Sequence, residues 1–451
     1  MNRFSSINVL SLILLATLSA AGQSNNLDER LERAAGLIRD NRIQEAELQL
    51  NNILKTAPQE ARALSLLGTI RGSQGKLDEA ESLFERALTI NSQMIPARMN
   101  LAYVYLLKGA QGKTISELKE VLRLDPSYAE AREKLARLLL SQGQVDECIS
   151  FIENSKQSQS AALFVVLGDA YLRKGDAKKA EGSYLLALDK QNDAADALLG
   201  MAQLAQLGGD SKTASLYLSR AKEPIANSPD LLYRFALIAL KSEAIEEARF
   251  ALEKAVKVRP TEAAYFLALG DTWLRKPDLF EAEQAFRRAL ALRPDSSQGQ
   301  MYLGYTLLKQ KKYPEAREWL EKSIQKDVGT PETFYYLGLI AQEQREEEQA
   351  VRFFEKSIQL SPSFGHPHIA LGSTYLKQKD YQRARAELEI GVKLNPDDSK
   401  AHYNLALLYA RLNDPQRAGE EMQILEKLKN GNERVKENEV SVPPPPRPRQ
   451  R

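Results

Sequence analysis

Tyr265-Phe-Leu-Ala-Leu-Gly-Asp271, followed by Glu281-Ala-Glu-Gln-Ala-Phe286 and Arg293-Pro294, is the stretch on which the fold turns. Stepping by 34 residues from Gly270 meets Gly304, Gly338, Gly372 and Ala406 in one direction, and Ala236 and Ala202 in the other. The full column reads Ala34, Gly68, Ala102, Ala136, Gly168, Ala202, Ala236, Gly270, Gly304, Gly338, Gly372 and Ala406. Every step is 34 except Ala136 to Gly168, which is 32. A second small column lies twelve residues further on, through Ala46, Ala80, Thr114, Cys148, Ala180, Ala214, Ala248, Ala282, Ala316, Ala350, Ala384 and Ala418.

A 34-residue period of this kind predicts a helix–turn–helix array, two helices of about 14 residues per repeat. Large residues stand just before the first column, among them Leu67, Leu101, Leu269, Leu303 and Leu405, and bulky ones recur in the second helix at Phe84, Tyr184, Phe286, Leu320, Phe354 and Leu388. Large beside small is what two close-packed helices require. Pro58, Pro126, Pro260, Pro294, Pro362 and Pro396 stop the second helices.

These columns resemble the tetratricopeptide repeat family over residues 27–432, most clearly in Ala263–Asp295 and Gly365–Asp397. The resemblance implies an all-α, right-handed superhelical solenoid of about twelve repeats whose first helices line a concave groove. Residues 27–160 hold repeats one to four, and 161–432 hold repeats five to twelve. The two-residue deletion near Cys148, followed by Ser155-Lys-Gln-Ser-Gln-Ser160, predicts a hinge or else a shortened helix with intact packing. Gly75, Gly109, Gly143, Gly175 and Gly209 close the first helices of repeats two to six, where the later repeats carry Glu243, Pro277, Lys311, Arg345, Lys379 and Asn413.

In the family geometry, one residue per repeat faces the groove, three before the first column. From repeat five onward it reads Val165, Leu199, Tyr233, Leu267, Met301, Tyr335, Ile369 and Tyr403, with Tyr305 and Tyr336 nearby. Two readings stand: an apolar ladder that binds a peptide or helix, or side chains packed between adjacent first helices. Ser65 and Glu133 break the ladder in the earlier repeats. A basic column, Arg173, Lys241, Arg275, Lys309, Lys377 and Arg411, ends first helices, where cations suit the helix dipole.

The ends of the chain differ from its body. Arg3, the apolar run Ile7–Leu18 and the small residues Ser19–Gly22 have the layout of a secretory signal peptide over 1–21, cut after Ala21, with 22–26 as a short linker. An uncleaved anchor is the alternative, although the run is shorter than the ~20 residues of a spanning helix. Residues 433–451 form a charged, proline-rich tail ending in Pro443–Arg451, expected to be disordered, with a polyproline ligand as the alternative.

Little here predicts chemistry. Net charge is +2, from 62 basic and 60 acidic residues, which gives no field for gathering nucleic acid. A single cysteine, Cys148, excludes an intrachain disulfide, and it sits in a small column as an alanine substitute. His366, His368 and His402 are the only histidines, and a metal held by His368 and His402 is weighed against ordinary half-buried helix starts. No catalytic, cofactor-binding or metal site is expected. The expectation is a non-catalytic, exported, periplasmic or secreted scaffold for other proteins, similar to bacterial repeat proteins of pilus, secretion or exopolysaccharide machineries. An auxiliary subunit of a separate enzyme, such as a glycosyltransferase, is the alternative.

Overall fold

The computed structural model describes residues 25–155, 160–324 and 329–431. The signal peptide, most of the linker and the tail over 433–451 lie outside the described residues. Among the described residues there are 24 α-helices and no strand. They form twelve hairpins in two compact units, one ending at Pro224 and the other beginning at Ile225.

In the N-terminal unit, α1 (Asn25–Arg39) pairs with α2 (Ile43–Thr56), and α3 (Ala61–Ser73) with α4 (Leu77–Ile90). Next come α5 (Ile95–Leu107) with α6 (Gln111–Leu124), and α7 (Ala129–Ser141) with α8 (Val145–Glu153). The last pairs are α9 (Ala161–Lys174) with α10 (Ala177–Lys190), and α11 (Ala195–Leu207) with α12 (Ser211–Ala221). In the C-terminal unit, α13 (Pro229–Lys241) pairs with α14 (Ile245–Val258), and α15 (Ala263–Arg275) with α16 (Leu279–Leu292). They are followed by α17 (Ser297–Lys309) with α18 (Tyr313–Ile324), and α19 (Pro331–Glu343) with α20 (Glu347–Leu360). The unit closes with α21 (Gly365–Lys377) on α22 (Tyr381–Leu394), and α23 (Ser399–Arg411) on α24 (Pro415–Gly431).

The first column is small because the second helix of the same hairpin lies on it. A Cβ placed on Gly168 would stand 2.5 Å from the Tyr184 ring, and one on Gly338 would stand 2.4 Å from Phe354. Gly68 faces Phe84, and Gly270 faces Phe286, in the same way. Where the column carries alanine, the residue sixteen further on is aliphatic, as in Ala102 with Leu118 and Ala136 with Ile152, all buried. Gly304 and Gly372 make room for Leu320 and Leu388 in the same place, so the small column clears space for the large side chain opposite, as close packing demands.

Every hairpin turn except the one at Pro277, whose ring fixes φ on the negative side, passes through a left-handed residue. The N–H of Lys76 returns to the Arg71 carbonyl (2.9 Å) around Gly75, whose φ is 75°. Lys312 returns to Leu307 (2.9 Å) around Lys311, whose φ is 61°. This is the bond pattern that glycine usually serves at a helix C-terminus. Many helix starts are held by side-chain caps: Asp176, Asp210, Asp278, Asp380 and Asp398 each accept a backbone N–H of the first turn.

The hinge expected after Cys148 is not a break in packing. α9 packs on both α7 and α8. A single core runs through Met99, Cys148, Ile152, Leu163 and Met201. Leu163, Val165 and Val166 supply enough apolar surface to seat α9 despite the polar run before it, of which residues 156–159 lie outside the described residues.

Candidate protein-binding surface

The structure decides between the two readings of the ladder for most of its members. Val165, Leu199, Met301, Tyr305, Tyr335, Tyr336 and Ile369 are buried; Tyr233 and Leu267 are half-buried, and Tyr403 is exposed. As an exposed stripe, the ladder is therefore corrected to a packing seam. Tyr335 shows why: its ring lies 5.8 Å from Tyr336, 6.0 Å from Phe354, 5.5 Å from Phe364 and 6.1 Å from His366. Phe364 and His366 belong to the start of the next hairpin, so that hairpin covers Tyr335. Burial raises the Tyr335 and Tyr336 hydroxyls well above the usual phenol range.

Four of the polar candidates, Arg173, Arg275, His368 and His402, are also structural. Arg173 donates to the Leu140 carbonyl (2.7 Å) and Arg275 to that of Leu240 (3.1 Å), so both cap the end of a preceding first helix. His368 places Nδ1 at 2.6 Å from Glu387 and Nε2 at 3.1 Å from the Pro362 carbonyl. His402 repeats this with Glu421 (2.5 Å) and Pro396 (2.8 Å). Both ring nitrogens are engaged, so these histidines tie the inter-hairpin loop to the second helix. Arg98 does the same with Ser92 (3.0 Å) and Glu117 (2.7 Å), and Gln300 holds the Pro294 carbonyl (2.8 Å). No group of three or more metal-ligating side chains is found among the described residues. Burial pushes the Cys148 thiol up to about 11, which leaves it protonated and unreactive.

The open apolar surface lies elsewhere. α5 and α7 meet through Tyr103, whose hydroxyl donates to Glu130 and whose ring lies under Lys134. Between them is a hollow of about 310 Å³. Met99, Ala102, Tyr103 and Leu106 of α5 form one wall, Thr114 and Leu118 of α6 the floor, and Lys134, Arg137 and Leu138 of α7 the other wall. Leu106 is 42% exposed at its edge. Lys134 Nζ lies 4.6 Å over the Tyr103 ring and 3.8 Å from Glu130, while Arg137 is 3.1 Å from Glu133. Such solvent-exposed helix pairs are weak, so both cations can exchange partners at little cost. Glu133, which interrupts the ladder column, pairs with Arg137 at the rim of this hollow.

The tetratricopeptide family model matches residues 31–95 and 369–433, and a second tetratricopeptide model matches 331–364. The chain carries tetratricopeptide repeats. A model of the C-terminal domain of cilia and flagella-associated protein 70 matches residues 128–333. The TPR repeat-containing thioredoxin TTL4 of Arabidopsis thaliana is 32% identical over 79 residues, 18% of this chain and 12% of that protein. Human protein O-mannosyl-transferase TMTC1 is 24% identical over 196 residues, 42% of this chain and 22% of that protein. These matches thus span a minor part of each relative. A solved structure of Pseudomonas aeruginosa pilF is similar at 24% identity and a TM-score of 0.42, covering 45% of this chain and 93% of that one.

Proposed function

We propose that this chain is an exported, non-catalytic scaffold that holds another polypeptide against its first helices, with the hollow between α5 and α7 as an anchor site. The observation that carries this reading is the hollow: apolar, open beside Leu106, and flanked by Lys134 and Arg137. Its volume suits one large apolar side chain, and anchors of that kind dominate polypeptide recognition. The signal-like layout of residues 1–21 supports export and work in the cell envelope. Among the described residues, no helix is long and apolar enough to cross a membrane.

The test is a peptide-display selection against the mature chain. Selected peptides are expected to share a large apolar residue beside an acidic one, and Leu106→Glu is expected to abolish their binding. Peptides that bind Leu106→Glu undiminished would remove the hollow from the account. A second reading, an auxiliary subunit of a sugar-transfer enzyme, is favoured by the match to the human mannosyl-transferase. Co-purification of a glycosyltransferase with the tagged chain would support that reading instead.

A further inference from the structure

Three hairpins carry the same strut. Arg98, His368 and His402 each stand four residues before the first small column. Each reaches a loop carbonyl and also a glutamate nineteen residues further on: Glu117, Glu387 and Glu421. In the hairpin of α17 and α18 the same two positions hold Gln300 and Trp319. Gln300 keeps the loop bond, to the Pro294 carbonyl at 2.8 Å, but a tryptophan stands where the glutamate would be. A hollow of about 440 Å³ lies at this place. Its apolar lining includes the buried Leu290 and Leu303 and the half-buried Trp319. The charged side chains among its lining residues are Arg287 and Lys322, both cations.

The geometry points to a binding site for a small aromatic carboxylate in this hollow, its ring beside Trp319 and its carboxylate between Arg287 and Lys322. The volume falls within the range of small-molecule sites, about 300–1,000 Å³. An aromatic ring matches the indole and the leucines around it. The charge follows from the rim. Lys322 Nζ lies 4.4 Å over the Trp319 ring and 2.6 Å from Glu318, while Arg287 donates to the buried Glu283 (2.8 Å) and to Glu315 (3.0 Å). Glu315 and Glu318 are exposed, and pairs of that kind contribute little, so both cations can turn to a ligand while Glu283 keeps Arg287 in place. A neutral ligand would cover the two cations and offer them nothing in exchange. The site is built from α16, α17 and α18, within the C-terminal unit, and does not depend on the hollow beside Leu106.

The experiment is equilibrium dialysis of the full chain against naphthoate and against its neutral counterpart, naphthylmethanol. Naphthoate is expected to bind saturably. Naphthylmethanol is expected to bind roughly tenfold more weakly or worse, because charge-assisted hydrogen bonds form with the carboxylate alone. Gln300→His together with Trp319→Glu rebuilds the strut of the other hairpins across the hollow and is expected to abolish naphthoate binding. Lys322→Glu changes one rim charge that is not buried, so the hairpin stays folded. It is expected to weaken naphthoate by roughly tenfold or more and to leave naphthylmethanol unchanged. No saturable retention of naphthoate, equal affinity for the two probes, or full naphthoate affinity in Lys322→Glu would each overturn the proposal.

Discussion

The two compact units make the same turn with different residues. The N-terminal unit uses Gly75, Gly109, Gly143, Gly175 and Gly209, with Asn41 as its exception. The C-terminal unit places Glu243, Lys311, Arg345, Lys379 and Asn413 at φ values between 56° and 64°. A side chain there has room, since nothing lies within 4 Å of a Cβ built on Gly75, Gly109, Gly143, Gly175 or Gly209. What remains is backbone strain, on the order of 1–2 kcal/mol for an L-residue in the left-handed region. The helix crossings, by contrast, are the same in both units: Gly168 under Tyr184 in one and Gly338 under Phe354 in the other. Packing fixes the turn, and the turn residue is chosen afterwards.

Gly168→Val and Gly338→Val attack the shared feature and should have the largest effect, a loss of about 3 kcal/mol or more each by overpacking. Hydrogen exchange should place each loss in its own compact unit, and equal loss in both would break the two-unit description. Replacing Glu243, Lys311, Arg345 and Lys379 together by glycine should stabilise the C-terminal unit by about 2–4 kcal/mol, read from urea unfolding. No gain would mean that these turns carry no strain. Gly75→Ala and Gly109→Ala should each destabilise the N-terminal unit by about 1 kcal/mol, with no change in its contacts. The smallest expected signal is at Cys148, which should resist a thiol reagent at about pH 8 until the chain unfolds.

The period, the small columns and the hairpins were legible because each is a pattern within one repeat. The ladder was not, because Tyr335 is covered by Phe364 and His366 of the next repeat, and column spacing does not show what lies across it. The hollow was not legible either, because its walls and floor come from α5, α6 and α7, and no single column brings those residues together. The roles of His368 and His402 depended on loop carbonyls at Pro362 and Pro396, which a sequence does not position.

The most direct test of the account compares the hollow with the buried ladder in one set of variants. Affinity for a selected peptide and melting would be measured together on Leu106→Glu and Tyr335→Ala. The hollow reading predicts that Leu106→Glu lowers affinity by roughly tenfold or more with melting unchanged. Tyr335→Ala should cost about 3–5 kcal/mol of stability, with affinity retained while the N-terminal unit stays folded. Loss of affinity in Tyr335→Ala without loss of stability, and full affinity in Leu106→Glu, would contradict it.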